Sequence, residues 1–221
     1  MKKSSRFLVL CTLAVMATQT QADLATYTFF NITNNAGNPD VGAQLQMQVL
    51  SDTEAGFLGD PGQVQFNFSV LPGPEFATIG AIYFDDGALS ALTDVFNGPG
   101  VSFTQDAIQA VDPPDLPGGD SIFPVFDVTG NFAADRDSGQ GGIANGIDPG
   151  ESLSILFDVE GSFDDVISDL GSGALRVGLH VQRLGTNANG GDSYVNVPLP
   201  GAVLLGMLGL VAAGRKLRQM C

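Results

Sequence analysis

Tryptophan is absent from this chain of 221 residues, histidine occurs once and cysteine twice. Each scarcity removes a class of chemistry. The cysteines are Cys11 and Cys221, at the two extremities, so the stretch between them offers neither a disulfide nor a thiolate nucleophile. One histidine without an accompanying cysteine cannot close a structural zinc site. Lysine is confined to Lys2, Lys3 and Lys216, and the cations between Asp23 and Val197 are Arg136, Arg176 and Arg183 alone. All 24 acidic side chains fall between Asp23 and Asp192, which makes that interior more acidic than the net charge of −15 for the whole chain. A surface of this sign cannot neutralise phosphates, and nucleic acid is excluded as a partner.

Catalysis fares little better. His180 would have to anchor any nucleophilic triad, but Leu179 and Val181 claim one face of its strand. That leaves His180 on the other face with Arg176 and Gln182, without acid or nucleophile at a recognisable spacing. Paired carboxylates of a glycosidase would need an aromatic platform for the sugar, and beside the missing tryptophan only Tyr27, Tyr83 and Tyr194 are present. The reading is that the chain is not an enzyme, with a polysaccharide hydrolase as the competing hypothesis.

What is present is apolar residues at 44%, with 29 glycines and 12 prolines that punctuate rather than dominate. Apolar Ala43, Leu45, Met47 and Val49 alternate with Gln44, Gln46 and Gln48. Val64, Phe66, Phe68 and Val70 alternate in the same way with Gln63, Gln65, Asn67 and Ser69. A period of two marks strands with one wet polar face. Further strands are expected at Thr26 to Thr33, Thr78 to Phe84, Val101 to Thr104, Phe123 to Val128, Ser152 to Val159, Leu175 to Gln182 and Tyr194 to Val197. Turn signals such as Asp60-Pro61-Gly62, Pro117-Gly118-Gly119 and Asp148-Pro149-Gly150 separate them. One short helix is expected from Ser162, a capping residue followed by Asp164 and Asp165, to Leu170, with Gly171 ending it. Short amphipathic strands with so little helix point to an all-β, antiparallel β-sandwich, jelly-roll-like, over residues 23–196.

The ends are of another kind. Residues 1–22 carry Lys2, Lys3 and Arg6, an apolar run from Phe7 to Ala17 and a small residue at Ala22, which reads as a signal peptide cleaved between Ala22 and Asp23. The run is about half of the roughly 20 residues a spanning helix needs, which argues against an uncleaved anchor. Residues 197–221 form a three-part tail. Val197-Pro198-Leu199-Pro200 comes first, then an uncharged apolar helix over about 199–214, then a basic stop of Arg215, Lys216 and Arg218. The helix shows no polar face before Arg215, as a buried helix of a soluble domain would, and it is read as a short transmembrane helix. The positive-inside rule leaves the basic stop in the cytoplasm and the acidic domain outside.

This tail resembles the PEP-CTERM sorting signal of Gram-negative bacteria that make extracellular polysaccharide. Pro198 and Pro200 match the two prolines of the signal, and Leu199 stands where glutamate is usual. The resemblance implies export, transient anchoring in the inner membrane, processing by an exosortase-like enzyme and delivery to the cell surface or extracellular matrix. The interior resembles a type of acidic, β-rich ectodomain carried by PEP-CTERM proteins. Tyr83-Phe84-Asp85-Asp86-Gly87, Gly100-Val101-Ser102-Phe103, Leu116-Pro117-Gly118-Gly119, Asp148-Pro149-Gly150-Glu151 and the run from Leu175 to Gln182 carry that likeness. It implies the location and the β fold, and transfers no catalytic or binding residue.

Calcium is the cofactor that the acids could hold, since it takes several oxygens from carboxylates and carbonyls of flexible loops. Asp85-Asp86 is one place for it, and the loop with Asp135, Asp137, Asn145, Asp148 and Glu151 is another. The competing reading is that these are turn-forming aspartates and solubilising charge. The expected function is that of an exported, non-catalytic surface or matrix protein, structural or adhesive. The alternative is a carbohydrate-binding module whose ligand is exopolysaccharide, with or without calcium.

Overall fold

The computed structural model describes residues 24–85, 87–105, 115–129, 132–136, 142–185 and 188–196. The signal peptide with Ala22 and Asp23, the residues Asp86 and Asp137, and the whole tail from Val197 through Pro198, Leu199 and Pro200 to Arg215, Lys216 and Arg218 lie outside them. Among the described residues no helix is long and apolar enough to cross a membrane.

Among the described residues, eleven strands and one α-helix make up the framework. They are β1 (Leu24–Tyr27), β2 (Phe29–Asn31), β3 (Leu45–Leu50), β4 (Gln63–Val70), β5 (Thr78–Asp85), β6 (Leu89–Asn97), β7 (Phe103–Thr104) and β8 (Ala133–Arg136), then β9 (Ser152–Val159), α1 (Phe163–Ser172), β10 (Arg176–Leu184) and β11 (Gly190–Asn196). A five-stranded sheet runs in the order β1-β3-β4-β9-β6, and a six-stranded sheet in the order β2-β11-β10-β5-β8-β7. All pairings between these strands are antiparallel. The pairs β2·β11, β5·β10, β6·β9 and β7·β8 are nested one inside the next along the chain.

The alternation read in the sequence decides which face is buried. Leu45, Met47 and Val49 of β3 and Phe66, Phe68 and Val70 of β4 turn inward, and Ile79, Ile82 and Phe84 of β5 meet them from the other sheet in one core. The aromatic rings lock edge to face across the layer. Phe84 lies 5.2 Å from Phe66 and 4.7 Å from Phe157, and Phe157 lies 5.3 Å from Phe132, between ring centroids. Each such ring contributes about 1.5–3 kcal/mol by leaving water. Helix α1 adds Val166 and Leu170 to the same core.

Several elements depart from the sequence reading, each for a physical reason. Strand β6 is not announced by the sequence, because bulges between Leu89 and Ala91 and between Leu92 and Asp94 space its inward residues three apart instead of two. Strand β8 is hidden because its four residues, Ala-Ala-Asp-Arg, show no alternation. Gln44 belongs to a 3-10 turn at Gly42–Gln44, is buried, and donates from Nε2 to the Glu75 carbonyl at 2.8 Å, so β3 begins at Leu45. Phe123 to Val128 is no strand. It belongs to a segment laid over the outer face of the six-stranded sheet, where Leu116, Phe126 and Val128 pack on Ala81, Tyr83, Ala133 and Val195. Gly178 makes room, since a Cβ there would meet the Leu116 side chain at 2.7 Å. Helix α1 passes Gly171 and ends at Gly173, whose φ of 80° is the left-handed conformation glycine tolerates.

Candidate functional site

The acids singled out in the sequence are mostly committed to the protein itself. The Asp148 carboxylate accepts from the Thr78 hydroxyl through Oδ1 and from Arg183 Nη1 through Oδ2 at 3.2 Å. Glu151 Oε2 accepts from the Asp148 amide at 2.9 Å, which closes the turn. Arg183 in turn lies 4.4 Å above the Phe76 ring. Asp135 sits apart from this turn, on β8, with Arg136 Nη1 at 3.7 Å. Burial pushes its carboxyl above the usual range, and Arg136 opposes part of that. Asp85 ends β5 in an ion pair with Arg176. Among the described residues no three His, Cys, Asp or Glu side chains are placed to hold a metal ion.

His180 lies on the outer face of the six-stranded sheet, as its pattern implied, and its neighbours there are informative. Ser193 of β11 stands directly opposite it, and on the other side Ala81 separates it from Asp135 of β8. Serine, histidine and aspartate therefore share one cross-strand row without forming a triad. Two strand spacings, about 9.6 Å, lie between His180 and Asp135. The Ser193 Oγ is sealed from solvent and unpartnered among the described residues, and His180 Nε2 meets Gln182 Nε2 at 3.1 Å. Burial, reinforced by Arg136 and opposed by Asp192, lowers the His180 pKa from its ordinary value.

Two of the hollows on the surface of the described residues bear on function. One, of about 430 Å³, is lined by Asp85, Pro124, Val125, Asp127 and Arg176. Its cation is already engaged: Arg176 donates to Asp85, to the Pro124 carbonyl at 2.6 Å and to the Val125 carbonyl, and covers the Phe126 ring at 5.3 Å. The other, of about 200 Å³, opens on the outer face of the five-stranded sheet. Leu58, 51% exposed, and Phe96, 36% exposed, are its apolar walls, and Gln63, Thr93, Asp60 and Asp94 supply polar groups.

This second hollow continues into a flat polar surface. Strand register puts Thr26, Gln48, Asn67, Ser154 and Phe96 in one row across all five strands. Gln46, Ser69 and Ser152 form the next row. Not one of these side chains is charged. The loop of residues 51–62 covers the row on the other side, where Gln65 and Leu156 are a buried cross-strand pair. Gln65 fixes that loop, accepting from the Leu58 amide at 2.7 Å and donating to Asn67 Oδ1 at 2.6 Å. The result is a ledge of amides and hydroxyls backed by a wall, with an aromatic ring at one end. Such groups both donate and accept, which suits a polyhydroxylated ligand better than an ionic one.

Sequence reading finds the glutamines and asparagine of this face as a wet strand surface. It misses Phe96, Asp94 and Leu58, because β6 does not read as a strand and Leu58 belongs to a loop. The signal available is the loop's Gly56, Gly59 and Pro61 around Leu58 and the Asp94-Val95-Phe96 run. No family model matches the chain, and neither does any curated protein or solved structure.

Proposed function

We propose that this chain is an exported, non-catalytic surface or matrix protein with a structural or adhesive role. It is sorted through its PEP-CTERM-like tail by an exosortase-like enzyme and carries a jelly-roll-like sandwich outside the inner membrane of a Gram-negative bacterium. The observation that carries the reading is the tripartite run Val197 to Arg218, preceded by an acidic all-β domain and, before that, by a signal-like start. Nested antiparallel pairing, as in a wound ribbon, supports the jelly-roll description. Intact-mass measurement of the protein from membrane and released fractions tests the sorting. The expected released form begins at Asp23 and ends near Val197 to Pro200. Persistence of residues 203–218 in every fraction makes the tail a permanent anchor and ends the sorting proposal.

A second reading, a carbohydrate-binding module for exopolysaccharide, is favoured by the uncharged ledge on the five-stranded sheet. A glycan array with and without chelator tests it. Binding of any polysaccharide supports the reading, dependence on the chelator adds calcium to it, and absence of every ligand removes it.

A further inference from the structure

The ledge has properties that restrict what it can hold. Its two rows present three amides, Gln46, Gln48 and Asn67, and four hydroxyls, Thr26, Ser69, Ser152 and Ser154. Among the described residues only Asn67 commits its side chain to a protein partner. Donors and acceptors therefore stand ready in a two-dimensional array, on strands about 4.8 Å apart, across a width of roughly 19 Å. That width accommodates several sugar rings. The wall formed by the loop of residues 51–62 runs parallel to the rows, since it covers the cross-strand pair Gln65 and Leu156 one row away. It blocks a chain lying along the strands and guides one lying across them. At the β6 edge the row ends on Phe96, an aromatic face exposed beside Leu58 over the 200 Å³ hollow.

Charge then selects the polymer. The chain as a whole carries −15, and the ledge is a neutral surface in that field with Asp60 and Asp94 at its aromatic end. An anionic polymer laid there runs within a Debye length, about 8–10 Å, of those carboxylates and is repelled. A neutral polymer is not.

We infer that this ledge binds a single uncharged polysaccharide chain running across the strands of the five-stranded sheet, with a sugar ring packed on Phe96. The inference rests on the carbohydrate-binding reading and adds to it the site, the orientation and the class of polymer. Phe96 supplies apolar contact for a ring face, Gln48, Asn67 and Ser154 bond hydroxyls along the row, and Asp94 accepts from hydroxyls at its end.

The test is affinity electrophoresis of the mature protein through gels containing hydroxyethylcellulose, carboxymethylcellulose, neutral mannan and galactan, or polymer extracted from the cells that make the protein. Retardation by at least one neutral polymer, and less by its carboxylated counterpart, is expected. Phe96→Ala weakens binding about tenfold, Phe96→Tyr restores it, and Gln48→Ala with Ser154→Ala weakens it about as much. Unchanged circular dichroism and thermal midpoint in these variants separate lost contact from lost fold. Retardation that survives all of them, or that is as strong with carboxymethylcellulose, overturns the ledge while leaving carbohydrate binding in place. Failure of every polymer to retard the parent protein removes both.

Discussion

Arg176 shows how much one side chain carries in a domain with so few cations. Its guanidinium joins the end of β5, through Asp85, to the covering segment, through the Pro124 and Val125 carbonyls and the Phe126 ring. Both charges are largely buried, with 14% and 7% of the side chains exposed. Removing one member of a buried pair leaves the other desolvated, so Arg176→Met is expected to cost about 3 kcal/mol, read from urea unfolding followed by circular dichroism. Asp85→Asn in the same background is expected to add much less than its single effect, because the pair is already broken. Additive losses would mean that the two residues act separately. His180 gives a pH dependence with a definite sign. Its folded pKa lies below 6.5, so between the two values the unfolded chain binds the extra proton. Stability contributed by the neutral ring is complete above about pH 6.5 and is lost as pH falls to the folded value. His180→Gln removes that slope. Urea midpoints at pH 7.5 and 5.5 check it, and an equal fall in parent and variant would assign the slope elsewhere.

At the scale of elements, helix α1 is the piece whose ends are best defined. Ser162 accepts from the Asp165 amide, Asp165 Oδ2 accepts from the Ser162 amide at 2.8 Å, and Gly173 closes the last turn at φ 80°. Ser162→Ala is expected to cost about 1 kcal/mol by loss of the cap, and Gly173→Ala about 1 kcal/mol by forcing a Cβ into left-handed backbone. Thermal unfolding of the two variants measures both. The helix was legible because capping is a local signal, and β4 because it alternates without interruption. Strand β6 was illegible because two bulges break its period, and with it went Phe96, the aromatic end of the candidate site. The segment around Phe123 reads as a strand from its apolar residues, yet Phe126 and Val128 serve a second, outer core that no local pattern announces, while Phe123 and Val125 stay exposed. Gln65 illustrates the same limit. Its place in the alternation is polar and outward, and only the long loop folded back over it makes it a buried bracket for the ledge's wall.

At the scale of the whole molecule, acidity governs the response to both salt and calcium. Between Asp23 and Val197 three arginines face all 24 acids. Two of the three, Arg176 and Arg183, are paired with Asp85 and Asp148, and Arg136 lies beside Asp135, so among the described residues most carboxylates form no ion pair. Compact folding brings those charges together, and their repulsion opposes the folded state until salt screens it. Raising sodium chloride from 10 to 150 mM (assay values, chosen to shorten the Debye length from about 30 to about 8 Å) is therefore expected to raise the thermal midpoint. Calcium gives a sharper version of the same measurement. In the turn around Asp148 and Glu151, Thr78 and Arg183 already engage both Asp148 oxygens and the Asp148 amide engages one Glu151 oxygen, which leaves screening as the main way calcium acts there. At matched ionic strength, calcium and sodium are then expected to shift the midpoint by similar amounts. A rise at micromolar calcium, abolished by chelator and by Asp135→Asn or Glu151→Gln, would instead establish a specific site using residues from the loop that contains Asp137.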